Sequence, residues 1–219
     1  MQLRHEHPWD VTPQQAKTIQ LQLCKYIISQ DQFNEINFVA GVDVGFEQNN
    51  TITRAAIAVL SFPELVLIDQ AIARLPTHFP YIPGYLSFRE IPAVLKALDK
   101  LTQYPDIFLC DGQGIAHPRR FGIACHLGVL TDIPALGVAK SRLIGTYEST
   151  PVSKGQSVIL KDGNEIVGSV LCTRDKVKPL YISTGHKITL ASATRLVMQC
   201  VTKYRLPETT RQAHRLASG

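Results

Sequence analysis

Residues 111–128 read D-G-Q-G-I-A-H-P-R-R-F-G-I-A-C-H-L-G. They follow Asp106-Ile107-Phe108-Leu109-Cys110, a short apolar run of the length of a buried strand. Asp111 therefore stands where that strand ends. Gly112 and Gly114 permit torsions and close approaches that other residues resist. A helix is predicted from about Phe121 to Leu130, then a second short strand over Ile133–Val138, followed by Ala139-Lys140-Ser141-Arg142. Strand, helix, strand is a parallel βαβ unit. Asp111 and Lys140 then lie at the carboxyl ends of neighbouring strands, where sites in such sheets are found. His117, Arg119 and Arg120 add a donor and two positive charges. The segment suits a polyanionic ligand with its carboxylate, backbone N–H groups and cations; a glycine-rich turn with a solvated basic end and a solvated Lys140 would look the same.

Upstream, Asn37–Phe46, Ile52–Phe62 and Leu65–Leu75 are strand-like, separated by Gln48-Asn49-Asn50 and Ser61-Phe62-Pro63-Glu64. Loops this short join antiparallel neighbours, so a three-stranded meander is expected. Asp43 interrupts the most apolar of these strands. A carboxylate there must be at an edge, ion-paired, or bound to a metal. Thr77–Gly84 (T-H-F-P-Y-I-P-G) is an apolar loop braced by Pro80 and Pro83 around Tyr81 and Ile82. Such a tip suits a wedge between base steps or a plug tucked into the core. Leu86–Leu101 has helical periodicity. Ser87-x-x-Glu90 reads as a capping box, but Pro92 would then fall inside the helix. A later start leaves Glu90 on a loop, free to reach a site.

At the N-terminus Thr12-Pro13-Gln14-Gln15 opens a helix whose buried face holds Ala16, Ile19, Leu23, Tyr26 and Ile27. No chemistry is visible in it. Downstream, Gln156–Lys161 and Glu165–Thr173 flank the hairpin turn Asp162-Gly163-Asn164. Pro179–Ser183 is a further strand, Thr184-Gly185-His186 a turn, and Leu190–Val201 a closing helix. His186 is read as either structural or functional. Composition leaves the polar, basic tail Tyr204–Gly219 open to fraying.

The 219 residues suit one domain over 1–219. With 45% hydrophobic and 19% charged residues the chain is globular rather than disordered. A formal charge of +5 suits a nucleic-acid partner. Cys24, Cys110, Cys125, Cys172 and Cys200 are widely spaced, odd in number and without a C-x-x-C. They are read as buried thiols of a reducing compartment, neither disulfides nor a zinc site. The start, Met-Gln-Leu-Arg-His-Glu-His, has no apolar signal core, and no apolar run approaches a membrane span. The expectation is a cytoplasmic protein with no membrane association, acting as a monomer.

Three acids stand out: Asp43, Glu90 and Asp111. Converging carboxylates repel one another, and Mg²⁺, which prefers oxygen ligands, relieves that repulsion. Such an ion activates water and stabilises charge on a phosphodiester. Lys140 is placed to neutralise a transition-state oxygen. The residues thus lead to a metal-dependent phosphodiesterase on a mixed sheet, an antiparallel meander plus parallel strands flanked by helices.

Several motifs, in order, closely resemble the bacterial endonuclease V family. They are V-A-G-V-D-V-G-F around Asp43, P-Y-I-P-G-Y-L-S-F-R-E ending at Glu90, and D-G-Q-G-I-A-H-P-R-R-F-G from Asp111. G-V-A-K-S-R around Lys140, S-T-G-H-K-I near His186 and Y-R-L-P-E-T-T-R near the end complete the set. The resemblance runs from about Pro13 to Ala217. It implies an RNase H-like fold and a repair endonuclease directed at deaminated bases in single- or double-stranded DNA, chiefly deoxyinosine. The implied cut is at the second phosphodiester bond 3′ to the lesion, leaving 3′-hydroxyl and 5′-phosphate ends with the base still attached. The implied cofactor is Mg²⁺, with Mn²⁺ able to substitute. By resemblance Asp43, Glu90 and Asp111 are the metal carboxylates and Pro80, Tyr81, Ile82 and Pro83 form a strand-separating wedge. The flipped base would enter a pocket lined by backbone near Gly84, Leu86, Gly112, Gly122 and Ile123. His117, Arg119 and Arg120 are expected to contact phosphates. Gln113 stands where many relatives have His, and is assigned no acid–base role. His214 lies where some relatives place a histidine near the metal, and is a candidate to bind or orient the nucleophilic water. Two other readings stay open: an inosine-directed ribonuclease, and a non-catalytic nucleic-acid-binding protein on a nuclease fold.

Overall fold

In the computed structural model, which describes residues 2–219, the three upstream runs become β1 (Phe38–Glu47), β2 (Ile52–Ser61) and β3 (Leu67–Pro76). They pair antiparallel as the expected meander. β4 (Ile107–Cys110), α3 (Ile123–Thr131) and β5 (Ala135–Ala139) form the expected βαβ unit. β4 inserts parallel between β1 and β5. The hairpin strands β6 (Ser157–Asp162) and β7 (Glu165–Leu171) and then β8 (Leu180–His186) complete one eight-stranded sheet, ordered β3-β2-β1-β4-β5-β8-β7-β6. Gly163, at φ +62°, allows the two-residue connection of the β6–β7 hairpin.

The strands alternate between two cores. Phe108 and Cys110 face one core with α2 (Leu86–Leu98) and α3. Ile107 and Leu109 face the other with α4 (Leu190–Gln199) and α5 (Glu208–Ser218). Burial on both faces explains why β4 reads as a continuous apolar run. The remaining helix, α1 (Pro13–Leu23), starts with the expected Thr12/Gln15 capping box.

Four sequence expectations are corrected. First, α2 starts at Leu86 with no side-chain cap, so Ser87 is not a cap and Glu90 lies in the second helical turn, not on a loop. Pro92 sits inside this helix. Burial of Phe88, Ile91, Val94 and Leu98 offsets the backbone bond it removes. Second, Thr184-Gly185-His186 is no turn but the end of β8. Gly185 is there for closeness: a Cβ on it would lie 2.5 Å from the Ala135 carbonyl oxygen. Third, the tail folds as α5 against β1 and β2. Its buried face is Thr209, Thr210, Ala213 and Ala217, small side chains that leave little hydrophobic signal. They fit because β1 offers glycines, and a Cβ on Gly41 would lie 2.0 Å from the Thr209 carbonyl oxygen. Fourth, Tyr26 is exposed, because α1 ends at Leu23 and the chain tightens into a 3₁₀ turn.

Candidate active site

Asp43 and Asp111 come from adjacent parallel strands. The Asp111 N–H donates to the Val42 carbonyl at 2.8 Å, fixing the end of β4 beside the middle of β1. Asp43 Oδ1 accepts from the Val44 N–H at 2.8 Å. Its Oδ2 lies 2.7 Å from Nδ1 of His214, delivered by α5. One ligand atom each from Asp43, Asp111 and His214 lie within 4.8 Å of one another. Lys140, the residue after β5, pairs with Asp111 Oδ2. Its backbone carbonyl accepts from Arg205 at 3.2 Å, and the same guanidinium holds the Lys178 and Pro179 carbonyls. Arg205 thus fixes the strand end that carries Lys140. Nothing in a basic residue of a polar tail signals this role.

Glu90 stands just outside that trio but shares its field. Burial, then the charges of Asp43 and Asp111, push its pKa up to about 8. Asp43 is raised by burial and by Asp111, against the opposing bond from His214. Three neighbouring carboxyl groups, of which Glu90 and Asp43 resist ionisation, form with one imidazole a donor set suited to a divalent cation with a preference for oxygen ligands. The residues present therefore fit a metal ion.

A cavity of about 380 Å³ opens beside this cluster. Glu90, Asp111 and Lys140 line it, and so do Gly84, Leu86, Gly112, Gly122 and Ile123, the five positions expected to form a base pocket. Gln113 lies on the same wall. Its Nε2 donates to the Ser141 carbonyl at 3.0 Å, while its Oε1 is buried without a partner. Tyr81 and Pro83 also line the cavity. Tyr81 is 69% exposed, so the loop projects it to solvent instead of tucking it into the core. Ile82 packs against the cluster of Ala16, Phe79 and Phe88, and Pro80 does not line the cavity.

The three expected phosphate contacts are engaged within the protein. His117 is buried and donates from Nε2 to the Gly84 carbonyl at 3.0 Å. Burial and the adjacent Arg119 charge lower its pKa to about 4, so it is neutral near pH 7. Arg119 also donates to Gly84 and to Gln20, and stacks 4.1 Å from the centroid of the Tyr85 ring. Arg120 pairs with Asp162 and Glu165, each at 2.8 Å. This geometry is that of braces, not of free cations. His186 is likewise buried, 3.5 Å from Asp132 and away from the cavity lining, a structural placement.

Comparisons with known proteins agree with this architecture. An endonuclease V from Rippkaea orientalis is 63% identical over 206 residues, covering 94% of this chain and 90% of that one. The crystal structure of the endonuclease V from Streptomyces avermitilis superposes with a TM-score of 0.91 at 40% identity, covering 96% of this chain and 93% of that one. An Asp-to-Asn variant of the Ciona intestinalis endonuclease V, in complex with a 23mer DNA containing an inosine followed by a ribo-adenosine, gives a TM-score of 0.82 at 30% identity over 95% of this chain and 97% of that one. The shared fold is RNase H-like. With the endonuclease V family model matching residues 21–215 as well, the chain belongs to the endonuclease V family of nucleases.

Proposed function

We propose that this protein is a Mg²⁺-dependent DNA repair endonuclease that recognises deaminated bases, chiefly deoxyinosine. It hydrolyses the second phosphodiester bond 3′ to the lesion and leaves 3′-hydroxyl and 5′-phosphate ends. The observation that carries this reading is the placement of the Asp43, Asp111 and His214 cluster beside a cavity of about 380 Å³. One volume of that size accepts a flipped base while the strand crosses the acids. The inosine-containing DNA bound by the Ciona relative supports the substrate class.

Asp43 and Asp111, with Glu90 at their side, would hold the ion, and Mn²⁺ would serve in place of Mg²⁺. Bound there, the metal supplies positive charge against the phosphate and a water of lowered pKa. His214, on the exposed rim and hydrogen-bonded to Asp43, would bind or orient the attacking water. Lys140 stabilises the charge that develops on the phosphate oxygens. Backbone at Gly84, Leu86, Gly112, Gly122 and Ile123 reads the base edge, and Tyr81 fills the gap left in the strand. The five unpaired cysteines, four of them buried, suit a reducing cytoplasm. Among the described residues no helix is long and apolar enough to cross a membrane. We read the protein as acting as a monomer.

The test is cleavage of end-labelled DNA carrying one deoxyinosine, with Mg²⁺, Mn²⁺ or EDTA. The expected product ends one nucleotide beyond the lesion's own 3′ linkage and appears only with metal. A cut at random positions, or one insensitive to EDTA, would refute the reading. The ribo-adenosine in the strand bound by the Ciona protein favours a second reading, an inosine-directed ribonuclease. A matched ribo-oligonucleotide in the same assay decides between them.

A further inference from the structure

The Gly84 carbonyl, on the wall of the cavity, receives three side-chain donors. Gln20 Nε2 and His117 Nε2 each approach at 3.0 Å, and Arg119 Nη2 closes on it as well. Gly84 has φ +83°, and a Cβ there would lie 2.9 Å from that guanidinium, so only glycine suits the position. The second N–H of Gln20 reaches across to the Phe121 carbonyl at 3.2 Å. That peptide leads into Gly122, whose N–H donates to the Gly114 carbonyl at 3.0 Å. Gln20 Oε1 in turn accepts from Arg119 Nε. Gln20 is fully buried in α1, a helix without other visible chemistry. Its amide can face only one way: turned over, its oxygen would oppose two carbonyls and its nitrogen a guanidinium.

We propose that Gln20 is a specificity-determining positioning residue. With Arg119 and His117 it clamps the Gly84 and Phe121–Gly122 backbones at a fixed separation and so sets the width of the base pocket. The proposal rests on the base-flipping reading above. A pocket of fixed backbone rejects a purine by size, and the group separating guanine from hypoxanthine is one 2-amino substituent. Loosening the clamp therefore relaxes discrimination before it slows the cut. The side-chain hydrogen bonds of Gln20, His117 and Arg119 go to Gly84, Phe121 and one another, and none goes to Asp43, Glu90, Asp111 or His214.

The experiment compares wild type, Gln20→Met and Arg119→Lys on matched DNA carrying deoxyinosine or deoxyguanosine at one position, with Mg²⁺. Gln20→Met keeps volume and removes all three amide bonds. Arg119→Lys keeps the charge, loses the bond to Gln20, and lies at a part-exposed position that tolerates change if Gln20→Met does not fold. Binding, the single-turnover rate at saturating protein, and thermal stability are read together. The expected result is about a tenfold or greater loss in preference for deoxyinosine, from the loss of buried hydrogen bonds. The rate on bound deoxyinosine should stay within about threefold. Unchanged preference in the folded variants, even with a lower melting temperature, would overturn the proposal and leave a merely structural role. A wild type that itself shows no preference would instead overturn the base-flipping reading.

Discussion

At the residue scale, Asp43 shows how a costly placement becomes informative. A carboxylate in a strand of Val, Ala and Gly demands a partner; a helix-borne histidine supplies one, while a second acid beside it adds repulsion. The placement of Asp43, Asp111 and Lys140 was legible because each sits in or just after an apolar strand. The internal partners of His117, Arg119 and Arg120 were not: charge identifies a donor, but only the fold shows whether it is already engaged. Neutral, buried His117 leads to a pH prediction. Its pKa falls from the ordinary 6.5 to about 4 in the folded protein, so below 6.5 the unfolded chain binds more protons. Its contribution is fully present above pH 6.5 and is lost as pH falls toward 4, on the order of 3 kcal/mol in all. Denaturant melts at pH 7.5 and 5 should show a smaller acid loss in His117→Asn than in wild type; equal losses would contradict this. Tyr81→Ala, with an exposed ring removed, should weaken binding of deoxyinosine DNA about tenfold with little change in metal affinity. Equal DNA affinity in titrations of mutant and wild type would remove Tyr81 from the wedge.

At the scale of elements, periodicity and turn chemistry gave the meander, the βαβ unit and the β6–β7 hairpin with ends within about two residues of those observed. Reading failed where tertiary packing overrode local preference. Pro92 argued for a later start to a helix that nonetheless begins at Leu86 and runs through it, and Gly185 suggested a turn where the need is close packing. The largest miss was α5. Its buried face is too small and polar to announce a helix, and the complementary signal, Gly41 and Gly45, lies far away in β1. Gly41→Ala should therefore cost about 2–3 kcal/mol or more, since a Cβ would meet backbone of α5 at 2.0 Å. Gly163→Ala meets no atom within 4 Å and carries only the strain of its positive φ, about 1 kcal/mol. Thermal melts should rank them in that order, and limited proteolysis should release α5 only from the Gly41 variant. The reverse order would mean that α5 is not locked by β1.

For the whole molecule, the sheet brings together residues as distant as Asp43 and His214, and no single motif contains the site. The chain closes it from both faces: α2 supplies Glu90 from one side and α5 supplies His214 from the other. The excess of positive charge predicts binding that weakens steeply with salt, by a slope of about −0.9 per phosphate neutralised. Affinity flat between low and physiological salt would argue against a phosphate-backbone interface. The central claim is that the acid cluster does the cutting while the neighbouring cavity and wedge do the recognising. Asp111→Asn separates the two, because it removes a charged ligand and leaves the cavity wall in place. Single-turnover cleavage and equilibrium binding should be measured on the same deoxyinosine DNA with Mg²⁺. The account predicts cleavage slowed by about 100-fold or more with affinity within a few-fold of wild type; an Asp111→Asn protein that cuts at the wild-type rate would contradict it.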